Sequence, residues 1–160
     1  MPRQLTSDDF RESLTDHVAS KAADVREKYG PIIDANALQL ILGDRSIVRY
    51  PCSLVFDEQG LQEGECAHPL PLGGRPEEGY RMIVHPYFQS RPAAVVALVL
   101  YQLVQVNYGD FAGPEDAETF GAGVLGVNRE SYYGMMCDLA DELVPPSVDP
   151  GCGSGGCGCG

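Results

Sequence analysis

The stretch 93-AAVVALVLYQLVQV-106 decides the fold. It is too long, with no Gly or Pro inside it, to be one ordinary strand, and so uniformly apolar that a helix built from it must be buried. Fourteen residues also fall short of the roughly 20 that a bilayer-spanning helix needs, so it reads as a core helix. Arg91-Pro92 suits its first turn and Asn107-Tyr108-Gly109 closes it. Its polar residues are Tyr101, Gln102 and Gln105. Positions 101 and 105 share one helix face, and polar groups on so apolar a helix need partners.

The segments around it set the fold class. Downstream, 114-PEDAETFGAGVLG-126 reads as a helix with acids in its first turn, and Asn128 caps 128-NRESYYGMMCDLADEL-143 before Pro145-Pro146 forbids continuation. Upstream the period changes. Runs 47-IVRYPCSLVF-56, 61-LQEGECAHP-69 and 80-YRMIVHP-86 are strand-like, with 57-DEQG-60 a turn signal and Pro51 marking an edge or a bulge. The Pro- and Gly-dense 69-PLPLGGRPEEG-79 reads as an exposed, mobile loop.

At the start, a helix capped by Ser7 carries Phe10, Leu14, Val18, Ala22, Val25 and Tyr29 on one stripe and stops at Gly30-Pro31. A short second helix runs from about Asp34 to Leu42. The expected architecture is α+β: N-terminal helices, a small three-stranded antiparallel or mixed meander packed on the buried helix, then C-terminal helices. Residues 1–146 form one globular domain in this reading, and 147–160 a flexible Gly/Cys-rich tail.

Length and charge narrow the function. A 160-residue domain buries roughly 70% of the surface that its unfolded chain exposes, so it needs no disulfide or metal merely to fold. Twenty-three acidic against eleven basic residues give −12. That balance argues against nucleic acid and against an anionic membrane, and leaves solubility as its plain meaning. The first residues, MPRQLTSDDFRES, carry no signal-peptide core, so the expected location is cytoplasmic and the six cysteines are expected to be reduced thiols.

The tail 151-GCGSGGCGCG-160 cannot bury apolar surface. Cys152, Cys157 and Cys159 in so pliant a backbone can wrap a soft ion such as Zn(II) or Cu(I), although a closed structural zinc site takes four ligands. Inert thiols fit the composition equally well. A second ligand set, Cys52, Cys66, His68 and His85, has the right donors for tetrahedral zinc if Cys52 and Cys66 face each other across a hairpin, but no compact ligand spacing. No Walker loop, nucleophile elbow or dinucleotide fingerprint is present. Cys66 and His68, two apart on a strand, are not in attack geometry. Cys137 falls in a helical stripe with Met136 and Leu139.

The segment 80–110, with its strand, Pro-bearing turn and YQLVQ helix, resembles the heart of a small zincin metallopeptidase of the gluzincin type. In that family the helix carries H-E-x-x-H, and 116-DAETFGAGVLG-126 resembles the following helix that supplies an acidic third ligand. The resemblance places Tyr101 and Gln105 at the histidine positions, Gln102 at the general base and Asp116 at the third ligand. The motif is degenerate. A phenol of pKa near ~10 is a poor zinc ligand, and neutral Gln accepts no proton from water. YQLVQ is equally readable as a core helix whose Tyr101 and Gln105 bond each other or the backbone.

The expectation is therefore a catalytically inactive zincin-like binding or accessory protein for an unidentified protein or peptide partner. Tyr101, Gln105 and Asp116 would be hydrogen-bonded where a metal once sat, with peptide capture by strand addition at the sheet edge. The alternative is a small metal- or redox-handling protein whose Cys tail is the working site. A third reading is a metal-dependent hydrolase using Cys66, His68 and His85.

Overall fold

The computed structural model of the chain describes residue 4 and residues 6–143. The fold is α+β, with five helices and one three-stranded mixed sheet among the described residues. The helices are α1 (Ser7–Tyr29), α2 (Ala35–Gly43), α3 (Pro92–Tyr108), α4 (Pro114–Leu125) and α5 (Arg129–Leu143). The strands are β1 (Cys52–Phe56), β2 (Ala67–Pro71) and β3 (Tyr80–Val84).

Helix α3 is the centre, with Ala94 to Leu100, Leu103, Val104, Val106 and Asn107 all buried. With the single 3-10 turn that follows, Pro92–Phe111 is long and apolar enough to cross a bilayer by composition alone. The fourteen-residue count therefore understates the segment. Here β2 and β3, together with α2, α4 and α5, pack around it.

The caps follow local chemistry. Thr6, not Ser7, caps α1: its Oγ1 accepts from Asp9 N at 3.1 Å and Asp9 Oδ2 accepts from Thr6 N at 3.0 Å, so two end groups satisfy each other. Asp34 caps α2 by accepting from Ala37 N at 2.8 Å, and Asn128 caps α5 by accepting from Ser131 N at 2.7 Å. Gly126, left-handed at φ 73°, ends α4. Along α1 the stripe buries Val18, Ala22 and Val25, while Phe10 stays exposed against Phe111, ring centroids 6.0 Å apart.

The sheet is not a meander. Its order is β1-β3-β2, with β1 parallel to β3 and β2 antiparallel to it. Prolines explain the place of β2. A central strand needs every N–H and two covered faces. Pro69 and Pro71 confine β2 to an edge, whereas the central β3 has no proline and its Met82, Ile83 and Val84 are all buried. The connection 57–66 crosses the sheet instead of turning back as a hairpin, and Gly60 (φ 93°) lies against Ile83 on the outer face.

The two edges differ. His85 N donates to Cys66 O and Leu72 N donates to Gly79 O, so by the antiparallel register residues 67, 69 and 71 turn their backbones away from β3. Pro69 and Pro71 therefore cost the ladder nothing, and they leave β2 only Ala67 as an outward donor. On β1, Tyr80 N donates to Pro51 O and Asp57 N donates to Val84 O, which turns Cys52, Leu54 and Phe56 outward, each with an intact N–H.

Segment 47–50, expected as the start of β1, is a turn instead. Buried Asn107 of α3 holds it: Asn107 Oδ1 accepts from Arg49 N at 2.9 Å and Asn107 Nδ2 donates to Ile47 O at 2.8 Å.

Candidate functional site

Two cavities run along one side of α3. One, of about 330 Å³, is lined by Tyr101, Gln102, Val104, Gln105 and the loop from Gly109 to Pro114, with Ala117. The other, of about 260 Å³, is lined by Gly64 to Ala67, Leu98, Tyr101, Gln102, Pro114, Glu118 and, from α5, Tyr133, Met136 and Ala140. Tyr101, Gln102 and Pro114 belong to both, so the two form one groove between the start of β2 and helices α4 and α5.

Helical spacing explains the convergence. Positions 101, 102 and 105 occupy the polar side of a helix whose other sides are buried. Tyr101 and Gln102 are half-buried and Gln105 is exposed.

Asp116 does not face this groove. It is buried at the start of α4, where its Oδ2 accepts from Gly113 N at 3.0 Å and its Oδ1 accepts from Thr15 on α1 at 3.3 Å. It lines a separate cavity with Arg11, Glu12 and Thr15. The expected cluster of Tyr101, Gln105 and Asp116 around one point is thus corrected. The reason is helical: the first-turn acid is drawn to the unpaired N–H groups of its own helix end. The acid of α4 that reaches the groove is Glu118. Residues two apart on a helix lie on nearly opposite faces, so 116 and 118 cannot both point at α3. That rule, applied to the alternation of α4, is the sequence signal that singles out Glu118.

Cys52, Cys66, His68 and His85 are not brought together. Strand β3 separates Cys52 from Cys66, and the register puts them at opposite ends of the sheet: Cys52 is level with Tyr80, and Cys66 bonds His85 beyond Val84. His85 accepts from Tyr87 N through Nδ1 at 3.1 Å and places Nε2 3.2 Å from Glu58, while His68 Nδ1 lies 3.7 Å from Glu65. Among the described residues no three His, Cys, Asp or Glu side chains form a group that could hold a metal. Cys152, Cys157 and Cys159 lie outside the described residues.

The electrostatics are one-sided. Glu65, Asp110 and Glu118 line the groove, and no Lys or Arg does among the described residues. Burial, helped by Glu142 and Glu65, pushes the Cys66 thiol up to about 11, so it stays protonated near neutral pH. Burial likewise pushes Cys52 up to about 11, against the pull of Arg45. The groove offers hydrogen bonds from a phenol and two amides, an apolar floor of Leu98 and Met136, and negative charge. Among the described residues, no side chain lining it is an imidazole or an activated thiolate. Tyr101, Gln102 and Gln105 do not fit a zinc ion as ligands or base.

Compared with protein-family models, with curated proteins and with solved structures, the chain matches none of them.

Proposed function

We propose that this chain is a zincin-like domain without peptidase chemistry, and that it binds an extended, basic polypeptide segment in the groove beside α3. The observation that carries the reading is the convergence of Tyr101 and Gln102 on a groove whose only charged lining residues, among those described, are Glu65, Asp110 and Glu118. The i, i+1, i+4 placement of residues 101, 102 and 105 on its wall is that of the resembled motif.

The parts divide the work. Leu98, Tyr133 and Met136 take an apolar side chain, the three acids take Lys or Arg, and the amides of Gln102 and Gln105 bond a backbone. Strand addition along β2 is restricted to its first residue. Ala67 alone has an outward N–H, while Pro69 and Pro71 offer carbonyls only. Affinity then rests on side chains and charge rather than on a main-chain ladder.

The test is fluorescence polarisation with a labelled peptide of alternating Leu and Lys, against its Leu and Glu counterpart. The Lys peptide should bind, lose affinity with added salt, and weaken on the order of tenfold in Glu118→Lys. Equal binding of the Glu peptide, or Lys-peptide binding indifferent to Glu118→Lys and to Gln102→Trp, would sink the reading.

A further inference from the structure

The contrast between the two sheet edges points to an assembly. An edge strand with free N–H and C=O groups templates pairing, and proteins blunt such edges unless they use them. Edge β2 is blunted by Pro69 and Pro71 at its outward positions. Edge β1 is not: Cys52, Leu54 and Phe56 turn intact N–H and C=O groups outward, and among the described residues these meet no backbone or side-chain partner on that side.

The surroundings of β1 are apolar. A cavity of about 200 Å³ opens beside it, between Leu54, Phe56 and Leu38 of α2, with Val95 and Val96 behind.

Charge identifies the occupant. Arg45 precedes β1, close enough to act on Cys52, and Asp57 follows Phe56, while Arg49 donates to Asn107 O at 3.1 Å and Glu58 lies 3.2 Å from His85 Nε2. The edge is therefore positive at one end and negative at the other. Such an edge is complementary to itself when turned end for end, which is the requirement of a two-fold interface.

We propose that β1 pairs antiparallel with β1 of a second copy of this chain, joining two three-stranded sheets into one. Leu54 lies opposite Leu54 of the other copy, and Cys52 opposite Phe56, so that the outward groups of all three residues are paired. Arg45 of each copy then faces Asp57 of the other.

Sedimentation equilibrium of the full chain, with reductant to keep the cysteines from cross-linking, tests this. The wild type should show twice the chain mass at tens of micromolar. Leu54→Pro removes an outward N–H that β3 does not use, and should give a monomer with unchanged far-UV circular dichroism. Should that variant unfold, charge reversal decides. Arg45→Glu and Asp57→Lys should each weaken the dimer on the order of tenfold, and an equimolar mixture of the two should recover it. A wild type that stays monomeric at 100 micromolar, or a dimer indifferent to both reversals, overturns the proposal.

Discussion

Tyr132 donates a 2.6 Å hydrogen bond to the carbonyl of Ala97, with both residues fully buried. Ala97 lies one helical turn before Tyr101, so this bond ties α5 to α3 beside the groove. Burial holds the phenol far above its ordinary pKa, and it remains a donor at any working pH. Its ring lies over Gly121, where an added Cβ would come within 2.2 Å of the ring. Glycine is required there by contact and not by conformation.

The first prediction concerns that contact. Tyr132→Phe should cost about 1–2 kcal/mol in urea unfolding through the lost bond. Gly121→Ala should cost about 1–3 kcal/mol through overpacking, and the double change should cost less than the sum because both act on one ring.

A second prediction separates the two acids of α4. Asp116→Ala should lower stability by about 1–2 kcal/mol by removing the cap and the Thr15 bond, and leave Lys-peptide binding unchanged. Glu118→Gln should do the reverse, weakening the peptide with little change in the unfolding midpoint. The two measurements together show which acid belongs to the groove.

Third, placing histidine at positions 101 and 105 should create a zinc site, because both line one cavity at i, i+4 spacing. Calorimetry of the Tyr101→His, Gln105→His variant should show one zinc per chain. Adding Glu118→Ala should lower that affinity on the order of tenfold or more, while Asp116→Ala should not, since ligand number sets the stability of such sites. Zinc binding indifferent to both acids would mean that the two helices do not frame a common point.

Fourth, acid stability should depend on Asp44. Its carboxylate accepts from Lys28 at 2.6 Å, from Ser46 and from Tyr29, which together hold its pKa well below the usual range. A pKa lowered by folding means stability present above the unfolded value, near ~3.9, and lost as pH falls below it. Thermal midpoints of Asp44→Asn should therefore lie below wild type at pH 7 and converge with it toward pH 2. The gap should shrink with salt, because the pair sits at the surface.

Fifth, Cys52 and Cys66 should resist alkylation. With thiols pushed up to about 11, their thiolate fraction at pH 7.5 is roughly a hundredfold below that of an ordinary exposed cysteine. Peptide mapping after brief iodoacetamide treatment at pH 7.5 should find both largely unmodified, and their reaction should accelerate at each step toward pH 10.

The sequence by itself determined the elements: the apolar run of α3 with Pro92 at its start, the stripe of α1, the cap at Asn128, and an α+β order. These are local matters, fixed by periodicity and by the few residues that end a helix. It also placed Tyr101, Gln102 and Gln105 on one side of α3, because helical spacing is a property of the chain. Tertiary structure decided what those residues meet. The order β1-β3-β2 separates Cys52 from Cys66, and capping of α4 turns Asp116 toward Thr15 and leaves Glu118 for the groove. The physical reason is the same in both cases. Backbone groups must be paired before side chains are free to converge: prolines allowed β2 only an edge, and the open N–H groups of α4 claimed the nearest carboxylate.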